Sequence, residues 1–249
     1  MNRAPRTVAF TVDLEPDCPP FLHGFRGVEQ GLPALLDLLA ARGVCATFFT
    51  TGEVAERYPL AVERVVRAGH ELGCHGMTHT AFTTLDRNAA RSEIDRSAAI
   101  LRRFARVTSF RAPYLRFPDE YVELLEEAAF AVDSSQAIYK RGEAGERGNG
   151  GTGSRITRVP ASVTSSVLRL PRAVRRAYLA CLSSPVVLFV HPWEFVDLRR
   201  ERIRLDCRFR TGDVALACID DVLADYARKG ARFVRMRELG ARAGMSKAS

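Results

Sequence analysis

The sequence predicts an α/β protein: a distorted, incomplete (β/α) barrel of about seven parallel strands, folded as a single domain over residues 1–249. Three observations lead there. Strand-like and helix-like runs alternate along nearly the whole chain, the pattern of parallel strands joined by helical crossovers. Several strand runs are apolar at consecutive positions, as strands covered on both faces must be. The strand runs are also too few for a regular eight-unit barrel. A doubly wound open sheet is the competing arrangement, and no internal repeat or domain boundary is visible.

The elements follow in order. "TVAFTVD" (7–13) is the first strand, and "GLPALLDLLAARG" (31–43) is a helix closed by Arg42 and a C-cap glycine, Gly43. "VCATFFT" (44–50) is the second strand, followed by a helix over "PLAVERVVRAG" (59–69) that ends on Gly69 in the same way. "HELGCH" (70–75) is the third strand. The helix over 86–105 opens with Asp86 as N-cap and gathers Ala90, Ile94, Leu101 and Phe104 near one face. "VTSFR" (107–111) and "FAVDSS" (130–135) are strands, with a helix over 118–130 between them that starts at Pro118 and carries acids in its first turn. "RGEAGERGNGGTGS" (141–154) has no apolar residue larger than alanine, so a mobile surface loop is expected. "VVLFVH" (186–191) and "ARFVRM" (231–236) complete the strands, separated by a helix over 211–230 that opens with a Thr211 cap.

Composition narrows the function classes. The net charge of +8 is almost wholly arginine, lysine occurring only at Lys140, Lys229 and Lys247. The arginines are scattered, which reads as solvated charge rather than a nucleic-acid face. The exception is 168–182, "LRLPRAVRRAYLACL", a basic amphipathic helix that could touch a membrane surface or serve as an outer helix. The apolar run "PVVLFV" is strand-sized, so no membrane span is expected. The start "MNRAPRTVAFTVDLEPD" passes directly into a strand, so a cytoplasmic location is expected. Six cysteines (18, 45, 74, 181, 207, 218) form no CxxC pair, which excludes a zinc ribbon or thioredoxin-type motif and predicts reduced, mostly buried thiols.

Parallel α/β folds place their active sites at the C-terminal ends of strands. Here the first strand ends in Asp13 and runs on to Glu15, the third ends in His75 with His79 close behind, and later strands end in Arg111, Asp133 and His191. Strand alternation sends Asp13 and Glu15 to the same side, and Pro16 holds Glu15 extended. "HGMTH" contains Gly76 and Thr78 and lacks an HExxH pattern, so its histidines belong to a strand-exit turn rather than a helix. With Glu15 at a neighbouring strand end, two imidazoles and one carboxylate complete an open zinc-type site.

Taken in order, "TVDLE", "HGMTH", "FRAPY", "VDSS" and "LFVH" resemble the five motifs of the polysaccharide deacetylase superfamily, over about residues 7–195. The resemblance implies a metal-dependent enzyme on a distorted β/α barrel that removes N- or O-acetyl groups from sugars. It makes Asp13 the catalytic base, Arg111 the residue that orients it, His191 the general acid and Asp133 the acid that tunes His191. Glu15, His75 and His79 become the metal triad, with zinc the default and cobalt or nickel as substitutes. Pro113 and Tyr114 of "RAPY" are expected at the substrate, the Tyr114 backbone N–H facing the oxyanion. Two departures stand out. Many members carry adjacent aspartates in the first motif, whereas "DLEPD" spaces its acids and makes Asp17 a competitor to Glu15. The fourth motif lacks a common tryptophan, for which Trp193 in "HPWEF" would supply an aromatic wall. Arg26 and Arg210 lie in loops that could reach the barrel mouth and hold a phosphate or sugar hydroxyl. The expected activity is deacetylation of an N-acetylated amino sugar, free, lipid-linked or in a short oligosaccharide. Hydrolysis of a non-glycan amide such as a ureide, or of a formylated amino sugar, is the alternative. A non-catalytic sugar-binding barrel is the remote one, and the presence of both Asp13 and His191 argues against it.

Overall fold

A computed structural model describes residues 5–140 and 155–247. The expected loop 141–154 lies outside the described residues. Eight parallel strands form one sheet: β1 (Thr7–Leu14), β2 (Thr47–Thr50), β3 (Glu71–Cys74), β4 (Ser109–Phe110), β5 (Val132–Asp133), β6 (Thr157–Arg158), β7 (Val186–Val190) and β8 (Arg232–Phe233). Their order is β6-β5-β4-β3-β2-β1-β7, with β8 also paired to β1. Each strand neighbours its predecessor until β7 returns to the free edge of β1, so the sheet curls into a half-barrel. A doubly wound sheet would instead reverse its order at the middle.

The curl stays open between β6 and β7. Ser162 spans that gap, its N–H donating to the Val187 carbonyl at 2.9 Å and its Oγ accepting from the Val187 N–H at 2.8 Å. Two strand expectations change. The run 231–236 shrinks to β8 because β2 already occupies the same edge of β1 from Thr11 onward, leaving only Thr7 and Val8 for β8. β6 was not anticipated, since two residues carry no alternation to read.

Ten helices pack around the sheet: α1 (Leu32–Arg42), α2 (Gly52–Arg57), α3 (Pro59–Arg67), α4 (Arg87–Leu101), α5 (Val122–Glu127), α6 (Ser165–Leu168), α7 (Arg172–Ala180), α8 (Leu205–Arg208), α9 (Asp213–Arg228) and α10 (Met236–Lys247), counted among the described residues. Val8, Phe10, Val12 and Leu14 of β1 pack with Leu32, Leu35 and Leu39 of α1 and with Ile219, Val222 and Leu223 of α9. Each such burial contributes roughly 1.5–3 kcal/mol, which fixes β1 as the rigid centre of the sheet.

Helix ends partly follow the sequence. Asp86 caps α4 by accepting the Ala89 N–H at 2.8 Å. Thr211 does not cap α9: its Oγ1 accepts the Leu198 N–H instead, and Gly212, at φ +73°, takes the N-cap position. The basic helix begins only at Arg172, after Pro171. Its Arg172 and Arg175 pair with Asp221, and Arg176 pairs with Asp225, both acids on α9. That pairing ties the basic residues of α7 to α9. No helix among the described residues is long and apolar enough to cross one.

Candidate active site

The C-terminal ends of the strands open on a cleft of about 430 Å³, lined by Asp13, Glu15, His75, His79 and His191 among others. Glu15 Oε2 lies 3.2 Å from His75 Nε2 and 2.7 Å from His79 Nε2. Among the described residues these three form the only buried group whose ligand atoms all lie within 4.8 Å of one another. The chain brings His79 back through two left-handed residues, Gly76 at φ +75° and His79 itself at φ +59°. A positive φ costs glycine nothing but strains histidine, the kind of strain that collects at functional sites. Glu93 on α4 fastens the turn, accepting the Met77 N–H at 2.9 Å and the Thr78 N–H at 3.3 Å.

These residues fit a divalent cation. His75 Nδ1 lies 2.7 Å from the Arg111 carbonyl. A carbonyl only accepts, so the proton sits on Nδ1 and the Nε2 lone pair turns to Glu15. A lone pair and a carboxylate oxygen at that separation repel unless a cation or an extra proton stands between them. His79 Nδ1 is also buried without a hydrogen-bond partner. Burial alone would raise the Glu15 pKa, but the neighbouring His79 and His191 hold it well below the usual carboxylate range.

Asp13 belongs to a second assembly. Arg111 Nη1 donates to Asp13 Oδ1 at 2.6 Å and to Thr11 Oγ1 at 2.8 Å, while Nη2 donates to Ser134 Oγ at 3.0 Å. The guanidinium lies over the Phe49 ring at 4.3 Å. Arg111 is completely buried, and a buried cation must be paired to be tolerated. Asp13 Oδ1 is thereby fixed, and Oδ2 turns toward His191 Nε2 at 3.9 Å.

His191 anchors the third assembly. Its Nδ1 lies 2.8 Å from Glu194 Oε1, which also accepts the His191 N–H at 2.9 Å. Glu194 Oε2 lies 2.9 Å from Arg169 Nε, an ion pair out of hydrogen-bond alignment. Burial opposes a charge on His191, yet Glu15, Glu194 and Asp13 outweigh it and push its pKa up to about 9. A cation on Glu15 would engage that carboxylate and leave Glu194 as the main support. Burial likewise opposes charge on Glu194, but Arg169 and His191 hold its pKa down.

Asp133 therefore does not tune His191. It accepts from Ser135 N–H at 2.9 Å and from Arg158 Nε at 3.2 Å, and burial raises its pKa against Arg158 and Ser135. Arg158 belongs to β6, the strand the sequence did not reveal, which stands between β5 and the open edge facing β7.

Other expected residues divide. Tyr114 lines the cleft at φ +61°, its ring edge-on to His79 with centroids 4.7 Å apart. Pro113 is buried beside it and does not line the cleft. Trp193 stacks on His191 with centroids 4.7 Å apart and donates from Nε1 to Glu15 Oε1 at 3.2 Å, so it holds a ligand as well as forming a wall. Asp17 is spoken for by the loop, accepting the Gly27 N–H at 2.8 Å and the Arg26 N–H at 2.9 Å, which leaves Glu15 as the carboxylate of the triad. Arg26 turns to Glu201 at 2.7 Å, and Arg210 lies beside Cys218 Sγ at 3.7 Å; neither lines the cleft. Glu194, Arg169 and Tyr139 were missed. "HPWEF" did carry a signal for Glu194, an acid three residues past the histidine on a tight turn.

The polysaccharide deacetylase family model matches residues 1–132. A peptidoglycan-N-acetylglucosamine deacetylase of Bacillus cereus is 35% identical over 94 residues, 38% of this chain and 32% of that protein. The match thus spans about a third of that relative's length. Among solved structures, a family 4 carbohydrate esterase from Streptomyces lividans is similar at TM-score 0.61 and 20% identity, covering 91% of this chain and 90% of that one. A CE4 family pseudoenzyme from Bacillus anthracis is similar at TM-score 0.64 and 17% identity, covering 96% of this chain and 66% of that one. At such identities the likeness extends to the fold alone, and activity must be argued from side chains.

Proposed function

The chain belongs to the polysaccharide deacetylase family, and we propose that it is a metal-dependent hydrolase removing an acetyl group from an N-acetylated amino sugar or sugar conjugate. The observation that carries this reading is one shared carboxylate. Glu15 Oε2 meets both imidazoles, while its Oε1 accepts from Trp193 and lies 3.8 Å from His191. Ligand set, base and acid thus converge on one cleft. A bare sugar-binding barrel would have no use for the base and acid.

A divalent cation held by Glu15, His75 and His79, zinc by default, would supply Lewis acidity to the attacking water and the acyl oxygen. The remaining work falls to the chain. Asp13, aimed by Arg111 through Oδ1, accepts the proton of the water at Oδ2. The Tyr114 N–H is the donor proposed for the oxyanion. His191 keeps its proton on Nε2 and passes it to the departing amine, with Glu194 and Arg169 holding the ring in place. Trp193 and Tyr139 flank the sugar, as aromatic walls suit a ring with apolar faces. A cytoplasmic setting, with a nucleotide sugar, lipid-linked sugar or short oligosaccharide as the substrate, belongs to the same proposal.

Metal analysis combined with an acetate-release screen over amino-sugar substrates tests it. One divalent ion per chain is expected, lost in Glu15→Ala and retained in Asp17→Ala. Undiminished acetate release from a metal-stripped protein would overturn the reading, and release only from ureides or formylated sugars would move the substrate class.

A further inference from the structure

Cys18 and Cys207 come together on the cleft wall from distant parts of the chain. Both line the cleft, and both belong to one apolar cluster with Trp193, Val196, Leu198 and Ile203. Cys18 follows the metal-ligand segment in the loop after β1, at φ +41°, whereas Cys207 sits on α8. Cys18 is buried and Cys207 is half-buried, so a small solute in the cleft meets Cys207 first. We propose that these two thiols are a reversible oxidation site, closing to a disulfide across the cleft wall when a hydroperoxide enters, and that the linkage slows the enzyme.

The chemistry needs two adjacent thiols, one reactive and one resolving. Cys207 is the more exposed of the two thiols, and its surroundings bring it down while those of Cys18 send that thiol up. Cys207 is therefore the nucleophile. Its thiolate attacks one peroxide oxygen; the O–O bond breaks, hydroxide leaves as water, and Cys207 becomes a sulfenic acid. Cys18 sulfur then attacks Cys207 sulfur, the S–O bond breaks, and the departing hydroxide takes the Cys18 proton as water. Two electrons pass from the thiol pair to the peroxide, and a thiol reductant reverses the bond. No metal takes part.

A link here would act on the reaction through Arg169. That guanidinium donates to the carbonyls of Cys207 at 3.2 Å, Asp206 at 2.7 Å and Phe209, and it also faces Glu194. Tethering Cys207 to the loop after β1 fixes the segment that Arg169 grips, and with it the carboxylate that orients His191. The remaining four cysteines offer no comparable pair: Cys45 and Cys181 are exposed, Cys74 bonds Ser97 at 3.1 Å, and Cys218 lies beside Arg210.

The test uses the whole metal-loaded chain treated with hydrogen peroxide, digested without reduction and mapped by mass spectrometry. A Cys18–Cys207 peptide that has lost both thiol hydrogens, and that disappears on reduction, is expected. Both residues still alkylated as thiols, or Cys207 driven to the sulfinic acid unlinked, would overturn the proposal. The kinetic effect rests on the proposed deacetylase activity, so it is read separately on whichever substrate releases acetate. The linked protein should lose about tenfold in rate and recover on reduction, since small displacements of catalytic groups carry penalties of that size. Cys18→Ala, given the same peroxide, should show neither the link nor a reversible loss. An equal reversible loss in that variant would remove the switch even where the disulfide forms.

Discussion

Two of the buried glutamates of the half-barrel, one at each end, are handled in opposite ways. Glu71 opens β3 at the floor, where its carboxyl accepts from Ser109 Oγ at 2.6 Å, Thr47 Oγ1 at 2.9 Å and the Arg237 N–H at 3.0 Å. Every contact is a donor, and the group closes on itself while fastening the start of α10. Glu15 at the mouth is as thoroughly buried but faces two imidazole nitrogens, one with its lone pair toward the carboxylate. The histidines repeat the contrast. His70 at the floor accepts the Ala46 N–H on Nδ1, whereas His79 Nδ1 at the mouth has no partner. Buried polar groups are normally satisfied, and those that are not call for an explanation. At the floor the polar groups hold structure; at the mouth a carboxylate and two imidazole nitrogens are gathered within ligand distance of one another.

If that division is right, mutations at the two ends should fail differently. Asp13→Asn should abolish turnover while metal content stays close to wild type, because Asn keeps an oxygen for Arg111, although the buried guanidinium loses its charge partner and the melting temperature should fall as well. A variant that turns over at near wild-type rate would remove Asp13 as the base. His191→Ala should keep the metal and lose roughly two to four orders of magnitude on amide substrates. On an activated ester, whose leaving group needs no proton, it should recover much of that loss; equal losses on both would falsify the general-acid role.

The floor should respond in stability instead. Glu71→Ala leaves two buried hydroxyls and one part-buried amide without their acceptor, so it should cost about 1–3 kcal/mol in denaturant unfolding with kcat/KM nearly unchanged. A kinetic defect without a stability loss would break the comparison. The smallest effect concerns His70, whose pKa burial lowers from 6.5 to about 4. The folded state then binds fewer protons than the unfolded chain between those values. Stability should be full above pH 6.5 and fall as the pH drops toward 4. His70→Gln should flatten that part of the curve, as followed by melting temperature against pH.

Much of the mouth was legible because strand ends sort chemistry by position. Asp13, Glu15, His75, Arg111 and His191 each sit where a parallel strand stops, and local periodicity suffices to find such places. The choice of Glu15 over Asp17 was not legible, since it depends on loop amides at Arg26 and Gly27 that only the folded turn presents. Glu194 was missed because a tight turn after β7 swings it back onto His191. Arg169 was hidden in a run of arginines whose partners lie on α8, α9 and the tight turn at 192–195, all remote in sequence. Thr211 fits the pattern of an N-cap, but a tertiary contact with Leu198 outbid the local one. Periodicity reports on faces and ends, and it says little about which of two distant polar groups will answer a third.

The bond from Trp193 to Glu15 has a consequence for how the two halves of the site communicate. One carboxylate serves the cation-binding side with one oxygen and the indole that stacks on the proton donor with the other. Whatever draws that carboxylate toward a cation must also tension the turn carrying His191, and whatever shifts that turn must alter the hold on the cation. Linkage requires the two influences to be equal in free energy. Were a cation held there, its affinity and the protonation of His191 would shift one another by the same free energy.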